Sequence, residues 1–262
     1  MAIELEFSGP YALLTLNRPD ALNALRFSMI DDISQALDRV EDSNARALIV
    51  TGAGDKAFCA GADIKELMDR DLTAHRNGVW LGQRTFSRFS TLRIPSVAVL
   101  HGYAFGGGLE LAMACTFRIA TEGARMGLPE VKLGLIPGYG GTQRLSRLVG
   151  EARATELVMS GRTIDAADAE RWGLVNRIVR PNDTASSPSP IEMGKMFMSE
   201  FVGFSLCASL FAREAVQRGV VTTIAEGLNI EADLSTLAYC TADAAEGMRA
   251  FAEKRKPEFK DA

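Results

Sequence analysis

Cysteine and histidine are scarce in this chain of 262 residues, which has four cysteines and two histidines. The cysteines are Cys59, Cys115, Cys207 and Cys240. None belongs to a CxxC pair, so we expect neither a zinc ribbon nor a thioredoxin-like site, and we interpret all four as reduced, mostly buried thiols. With only His75 and His101 available, we expect neither a histidine-rich metal site nor a histidine-based triad.

Long apolar runs and an excess of basic charge are missing as well. No run approaches the roughly 18 apolar residues of a membrane helix, and the N-terminus lacks the basic and apolar segments of a signal peptide. The formal net charge of −4 gives no general attraction to nucleic acid. We therefore expect a cytoplasmic protein that binds neither a membrane nor nucleic acid.

Apolar strands alternate with helical stretches over most of the chain, and this alternation predicts an α/β architecture. The predicted strands are 2–7, 11–17, 47–51, 96–100, 117–120 and 175–179. Helices are predicted from Ser28, over 63–92, from Gly106-Gly107-Gly108, and near 141–149, 151–160 and 165–172. For the first of these helices, Ser28 followed by Asp31 predicts a capping box.

One polar, proline-rich segment, Arg180–Pro190, is the best linker candidate. The sequence beyond it has helical patterns only. We therefore predict a larger α/β body over residues 1–190 that holds the active site, and a helical C-terminal region over residues 191–262.

Two glycine-rich loops each follow a buried-type strand, where α/β sheets place their binding sites. They are FCAGADIK at 58–65 and HGYAFGGGLE at 101–110. Glycine lets a ligand approach the backbone closely, and a helix N-terminus leaves N–H groups without partners. One N–H from each loop could therefore hold an oxygen that becomes negative during a reaction. The alternative interpretation is that the glycines only permit tight turns.

Two glutamates stand near these loops in apolar surroundings. Glu110 lies in the first turn of the helix after the triple glycine, where the helix dipole favours a carboxylate. Glu130 follows a proline twenty positions later. Each residue alone also fits a structural role, Glu110 as a helix cap and Glu130 as a surface partner of Lys132.

Taken together in order, five motifs make the chain resemble the enoyl-CoA hydratases of the crotonase superfamily. They are RPDALNAL at 18–25, FCAGADIKEL at 58–67, HGYAFGGGLELAMAC at 101–115, LPEVKLGLIPGYGGTQRL at 128–145 and EGMRAFAEKRKPEFK at 246–260. The resemblance runs from about residue 10 to the C-terminus. It implies a spiral of ββα units followed by a helical region that packs trimers, or hexamers made of two trimers.

The resemblance also implies a reaction, the reversible syn addition of water to a trans-2-enoyl-CoA to give a 3-hydroxyacyl-CoA. Glu110 and Glu130 match the pair that holds and activates the water. The backbone N–H groups of Ala62 and Gly107 match the donors to the thioester oxygen. Gly138 matches a backbone contact to the water.

Seven further residues match positions that bind CoA or substrate in this family. They are Ala24, Ala60, Asp63, Ile64, Lys65, Phe251 and Lys254. Phe251 and Lys254 match a C-terminal pair that reaches the cofactor, sometimes from another subunit, although a solvated helix end would have the same sequence. No cofactor beyond the CoA moiety of the substrate is implied. Segments 182–190 and 196–212 depart from the family pattern, which leaves the acyl chain length open.

Two alternatives to the hydratase remain. One is another CoA-ester reaction of the same family, such as double-bond isomerisation or hydration of a branched or aromatic acyl-CoA. The other is a non-catalytic protein of this fold that binds RNA or a protein partner. The presence of both glutamates and both glycine-rich loops, with an acidic net charge, favours the hydratase.

Overall fold

The computed structural model describes residues 2–180 and 188–262, which fall into two compact units. The first unit extends to Met198, and the second is Ser199–Ala262. The sequence placed the boundary earlier, between residues 190 and 191. Helix Pro190–Met198 belongs to the first unit because Gly194 lets its backbone approach the side chains of Ile49 and Val99. Most of the predicted linker Arg180–Pro190 lies outside the described residues.

Ten strands and eleven α-helices are formed by the described residues. The strands are β1 (Ile3–Ser8), β2 (Tyr11–Leu16), β3 (Ala47–Gly52), β4 (Ala57–Cys59), β5 (Ser96–Leu100), β6 (Tyr103–Phe105), β7 (Phe117–Thr121), β8 (Arg125–Gly127), β9 (Ile164–Asp165) and β10 (Arg177–Val179). The helices are α1 (Phe27–Glu41), α2 (Ile64–Leu67), α3 (Leu72–Thr91), α4 (Gly107–Ala114), α5 (Gly141–Val149), α6 (Glu151–Ser160), α7 (Ala166–Arg171), α8 (Pro190–Met198), α9 (Leu206–Gly219), α10 (Ile224–Tyr239) and α11 (Ala242–Glu253). None of these described helices is both long and apolar enough to cross a membrane.

A six-stranded sheet in the order β1-β2-β3-β5-β7-β10 organises the first unit. Strands β1 and β2 form an antiparallel hairpin, and the remaining neighbours are parallel. Every residue of β3 and β5 is buried, as expected for parallel strands covered on both faces. Their continuous apolar sequences follow from this burial, and the predicted α/β architecture is confirmed.

A second sheet of short strands, in the order β4-β6-β8-β9, runs beside the first. Three times in succession the chain passes through a strand of the larger sheet, a short strand of the second sheet, and one or two helices. These repeats are β3-β4-α2-α3, β5-β6-α4 and β7-β8-α5, the last with a 3₁₀ turn at Glu130–Leu133. Strands β4, β6 and β8 are parallel, so their carboxyl ends meet at one edge of the second sheet.

Helix α1 begins differently from the prediction. Its N-cap is Arg26, whose side chain makes no capping hydrogen bond, and Phe27 is its first residue. The backbone N–H of Phe27 instead donates to Glu66 Oε2 of α2 at 2.7 Å. The capping box expected at Ser28 is therefore wrong, because a carboxylate brought in by the tertiary fold satisfies the helix end.

The predicted helical region 63–92 is divided into α2 and α3. The chain turns between them at Asp69, which has a left-handed backbone with φ of 57°. Each helix has its own aspartate cap, since Asp63 accepts from Lys65 N at 3.3 Å and Asp71 accepts from Ala74 N at 2.7 Å. The region therefore forms two separately capped helices and not one.

The second unit is helical, as predicted for the C-terminal region. Helices α9 and α10 pack against each other, and α11 comes after them. Asp243 at the start of α11 is only 2% exposed. Its carboxylate accepts hydrogen bonds from Lys260 N at 2.7 Å and from Asp261 N at 3.0 Å, which attach the C-terminal segment to the helix.

Candidate active site

A cavity of about 760 Å³ lies in the first unit, where the short strands β4, β6 and β8 end. Its lining includes residues just beyond the end of each strand: Ala60–Ala62 after β4, Gly106–Gly107 after β6 and Pro129–Glu130 after β8. The carboxyl ends of parallel strands lie at the same edge of a sheet, which brings these three distant loops together.

Two backbone N–H groups at this edge have no acceptor within the described residues. Leu25 forms a parallel bridge with Ala62, because Leu25 N donates to Gly61 O and Asp63 N donates to Leu25 O. The N–H of Ala62 itself therefore points away from Leu25. Gly107 is the first residue of α4, so its N–H has no partner within the helix. Both residues line the cavity, where these N–H groups can receive an anionic oxygen.

Glycine is required at Gly106 for two reasons. Its φ of 49° lies in the left-handed region that L side chains rarely adopt. A Cβ at this position would also lie 2.9 Å from Glu130 Oε1. The triple glycine thus lets the loop pass directly beside the Glu130 carboxylate.

Glu110 is almost completely buried, with 1% of its surface exposed, and it lines the cavity from the first turn of α4. Its Oε1 accepts hydrogen bonds from Tyr139 N at 2.8 Å and from Gly141 N at 2.6 Å. A Cβ at Gly141 would lie 2.8 Å from the same oxygen, so only glycine permits this approach. The loop before α5 therefore fixes one carboxylate oxygen.

The carboxyl of Glu110 titrates far from its ordinary range. Burial is the main cause that raises its pKa to about 7, and the charge of Glu130 acts in the same direction. The hydrogen bonds from Gly141 and Tyr139 and the charge of Arg144 oppose this rise. A carboxyl with a pKa of about 7 can both donate and accept a proton at neutral pH.

Glu130 reaches the same cavity from the 3₁₀ turn, where it is half-buried. Burial also raises the pKa of its carboxyl. Its Oε2 is buried, and no hydrogen-bond partner for this atom is found within the described part of the chain. The described residues also show no ion pair between Glu130 and Lys132, the alternative that the sequence left open. Glu130 therefore offers the cavity an acceptor that the protein itself does not satisfy.

The Gly138–Tyr139 loop contributes contacts that the sequence did not indicate. Gly138 lines the cavity, and its carbonyl accepts from Gln83 Nε2 of α3 at 2.9 Å. The ring of Tyr139 packs edge-on against Phe86 with 5.6 Å between ring centroids. It also lies over Gly82, where a Cβ would overlap it. The glycines of α3 were the available signal, since a glycine inside a helix often marks a close approach.

Asp63, predicted to bind CoA or substrate, is held by protein contacts. Burial alone would raise the pKa of its carboxyl, but hydrogen bonds from Arg18, from the Lys65 backbone and from Arg26 bring that pKa below its ordinary value. Arg18 Nη2 lies 3.1 Å from Asp63 Oδ2. The side chain therefore caps α2 and pairs with Arg18, and its role toward CoA or substrate stays a prediction.

The other predicted CoA and substrate residues divide into those on the cavity and those away from it. Ala60 and Ile64 line the cavity. Ala24 and Lys65 are not among the lining residues found in the described chain. Phe251 and Lys254 belong to the second unit. Phe251 is 87% exposed, and Lys254 closes α11 with a left-handed backbone. Their roles toward CoA stay predictions.

Known proteins resemble this chain along its whole length. The family model described as Enoyl-CoA hydratase/isomerase matches residues 6–262. A protein of Rhizobium meliloti named "Probable enoyl-CoA hydratase" is 44% identical over 256 residues, covering 98% of this chain and 96% of its own. The protein named "Crotonyl-CoA hydratase" of Syntrophomonas wolfei is 41% identical over 258 residues, covering 98% and 97%.

Solved structures agree with these relatives. The crystal structure titled as an enoyl-CoA hydratase from Bacillus anthracis superposes with a TM-score of 0.92. It is 36% identical in sequence and covers 100% of both chains. The similarity therefore includes both compact units and the loops around the cavity.

Proposed function

The chain belongs to the enoyl-CoA hydratase/isomerase family, and we propose that its two buried glutamates perform the hydration of an enoyl-CoA. Its fold is of the crotonase type, as the sequence predicted. Relatives that are 40%, 41% and 44% identical are named as hydratases of enoyl-CoA or crotonyl-CoA. The chain is an enoyl-CoA hydratase that acts on an acyl-CoA thioester. Within that reaction, the residues of the cavity divide into proton carriers and backbone donors.

The observation that supports these roles is the convergence of Glu110 and Glu130 on one cavity. Burial raises the pKa of both carboxyls, and the charge of one acts on the other. Two such groups titrate as a coupled pair. Glu110, whose pKa is about 7, can carry a proton near neutral pH, so one carboxyl of the pair can serve as an acid while the other serves as a base.

Hydration joins the oxygen of water to the β carbon and a proton to the α carbon of the enoyl thioester. One glutamate accepts a proton from the attacking water, and the other delivers its proton to the α carbon. The product is the 3-hydroxyacyl-CoA, and the pair again holds one proton. Both carboxyls line the same cavity, and we propose that they act on one face of the double bond, so that the two additions are syn.

Negative charge develops on the thioester oxygen as the water adds. The free N–H groups of Ala62 and Gly107 are suited to receive that oxygen, one from each glycine-rich loop. A single donor of this kind is worth about 3 to 4 kcal/mol in a transition state. The backbone thus stabilises the enolate while the carboxyls move the protons.

Three further features complete the proposal. Addition of water to the double bond is neither a net oxidation nor a net reduction of the substrate, so we include no cofactor beyond the CoA moiety. We propose assembly as a homotrimer or a hexamer, because Val216, Val220, Ile224 and Leu228 of the α9–α10 region expose apolar surface. We also propose a cytoplasmic location and no binding of nucleic acid.

A substrate panel tests the proposal directly. Short, medium and branched 2-enoyl-CoA esters are offered to the purified protein without added cofactor, and the loss of the conjugated absorbance is followed. We expect turnover of at least one of these classes, and the best substrate identifies the acyl preference. Inactivity toward all three classes would remove the proposed reaction.

A further inference from the structure

Arg144 lies directly behind the loop that holds Glu110. It is half-buried on the first turns of α5 and is not part of the cavity lining found in the described residues. Its Nη1 donates to the carbonyl of Tyr139 at 2.7 Å, and its Nη2 donates to Ser87 Oγ of α3 at 3.3 Å. A Cβ at Gly140 would overlap the guanidinium, so the loop backbone rests on it. Arg144 thus joins α3, α5 and the loop.

The hydrogen bond from Arg144 to the Tyr139 carbonyl affects Glu110 because of where it lies in the loop. The two N–H groups that donate to Glu110 belong to Tyr139 and Gly141. The peptide that links Tyr139 to Gly140 lies between them, and its carbonyl is the one that Arg144 holds. A shift of this carbonyl would therefore turn both donors away from the carboxylate.

Arg144 and the ionised carboxylate of Glu110 also carry opposite charges. Among the described residues, neither Arg144 nor Glu110 has an oppositely charged group within ion-pair distance. The charge of Arg144 nevertheless acts on Glu110 and lowers the pKa of its carboxyl, and Glu110 acts in turn on Arg144. Each is thus the partner that offsets the charge of the other through the intervening loop.

We propose that Arg144 is a positioning residue of this hydratase, which fixes the two backbone donors of Glu110 and balances the charge of its carboxylate. Arg144 acts through the loop and touches neither the cavity nor the reacting atoms. The inference rests on the proposed roles of the glutamates. It gives a role to a residue that lies within the motif at 128–145 but that the resemblance leaves without a function and that does not line the cavity.

Other titratable groups lie around Glu110 and Arg144. Glu130 faces it from the 3₁₀ turn, and the phenol of Tyr139 lies beside it in the loop. His75 of α3 lines the cavity, and Cys115 at the end of α4 is near Arg144. Arg144 is the one permanent cation that acts on Glu110 within the described residues. Its removal therefore has a defined sign, since loss of a nearby positive charge raises the pKa of a carboxyl.

The experiment compares the pH dependence of kcat/KM for the wild type and four variants with an accepted enoyl-CoA substrate. In Arg144→Gln and Arg144→Met the charge is lost, and we expect the whole bell-shaped profile to move upward by roughly half a pH unit or more. Arg144→Lys retains the charge and should keep the profile near its wild-type position, at lower kcat. Arg147→Gln is the matched control on the exposed side of α5, and its profile should not move.

The outcomes separate this inference from the proposed function. An inactive wild type contradicts the hydratase reaction itself and needs no Arg144 variant. An active wild type whose profile is unmoved in both neutral variants overturns the role of Arg144, as does an equal displacement in Arg144→Lys. If neither neutral variant folds, Arg144→Lys decides alone: a profile in the wild-type position with a lower kcat supports the inference, and a displaced profile or an unchanged kcat overturns it.

Discussion

Replacing Glu110 with glutamine separates the stability cost of this residue from its catalytic function. The glutamine side chain has the same length, and its carbonyl oxygen can still accept from Tyr139 N and Gly141 N. The substitution therefore removes the ionisable group while leaving the loop in place. We expect turnover to fall by at least ~100-fold, as for loss of a general acid–base group.

The same change should stabilise the folded protein, and the sign comes from the direction of the pKa shift. Burial raises the pKa of Glu110 from 4.5 to about 7, so the folded state holds a proton that the unfolded state has released. Stability is therefore lost as the pH rises from about 4.5 to about 7. The cost is roughly 3 kcal/mol at about pH 8 and roughly 1 kcal/mol at about pH 5. Glutamine has no ionisable group, so the variant does not bear this free-energy cost.

Thermal unfolding measures this difference. We expect Glu110→Gln to melt several degrees above the wild type at about pH 8, since 1 kcal/mol corresponds to roughly 2 to 4 °C in a chain of this size. Near pH 5 the gain should shrink to a few degrees or less. Glu6→Gln, an exposed change on β1, is the control and should show no such pH dependence. A variant that is equally or less stable than the wild type at about pH 8 would refute the reasoning.

Three further changes test other parts of the structure. Glu130→Gln should lower kcat by at least ~100-fold while the circular dichroism spectrum stays unchanged; near-full activity would contradict its role. Gly82→Ala places a Cβ within the ring of Tyr139 and should reduce kcat/KM by at least ~10-fold, whereas Gly219→Ala on α9, with open space around it, should not. Asp243→Ala leaves two backbone N–H groups without their acceptor and should destabilise the folded protein by about 2 kcal/mol in denaturant unfolding, and an unchanged midpoint would contradict this.

The larger sheet was predictable because burial leaves a direct pattern in the sequence. Strands β3 and β5 are buried on both faces, so each appears as a continuous apolar run. The second sheet left no such pattern. Its strands β4, β6 and β8 have three residues each, too few to show alternation, and they exist because they pair with each other.

The site was predictable where its geometry depends on local sequence. The two glycine-rich loops after strands were visible in the sequence itself, and the family resemblance assigned roles to Ala62, Gly107, Gly138, Glu110 and Glu130. All five residues line one cavity. Contacts that depend on where a long side chain ends were not predictable. Arg144 reaches the Tyr139 carbonyl from the next helix, and no periodicity indicates where a long side chain will end. The helix start at Phe27 was missed for the same reason, since its cap is a carboxylate from α2.

The central claim is that two carboxyls facing one cavity add water across a conjugated double bond. The most direct test uses an accepted enoyl-CoA in deuterated and in ¹⁸O-labelled water, with product analysis by mass spectrometry and NMR. We predict a 3-hydroxyacyl-CoA with one labelled oxygen at C3 and one deuterium at C2 on the same side, formed by the wild type and not by Glu110→Gln or Glu130→Gln. A product that gains deuterium without labelled oxygen would indicate isomerisation and contradict the account.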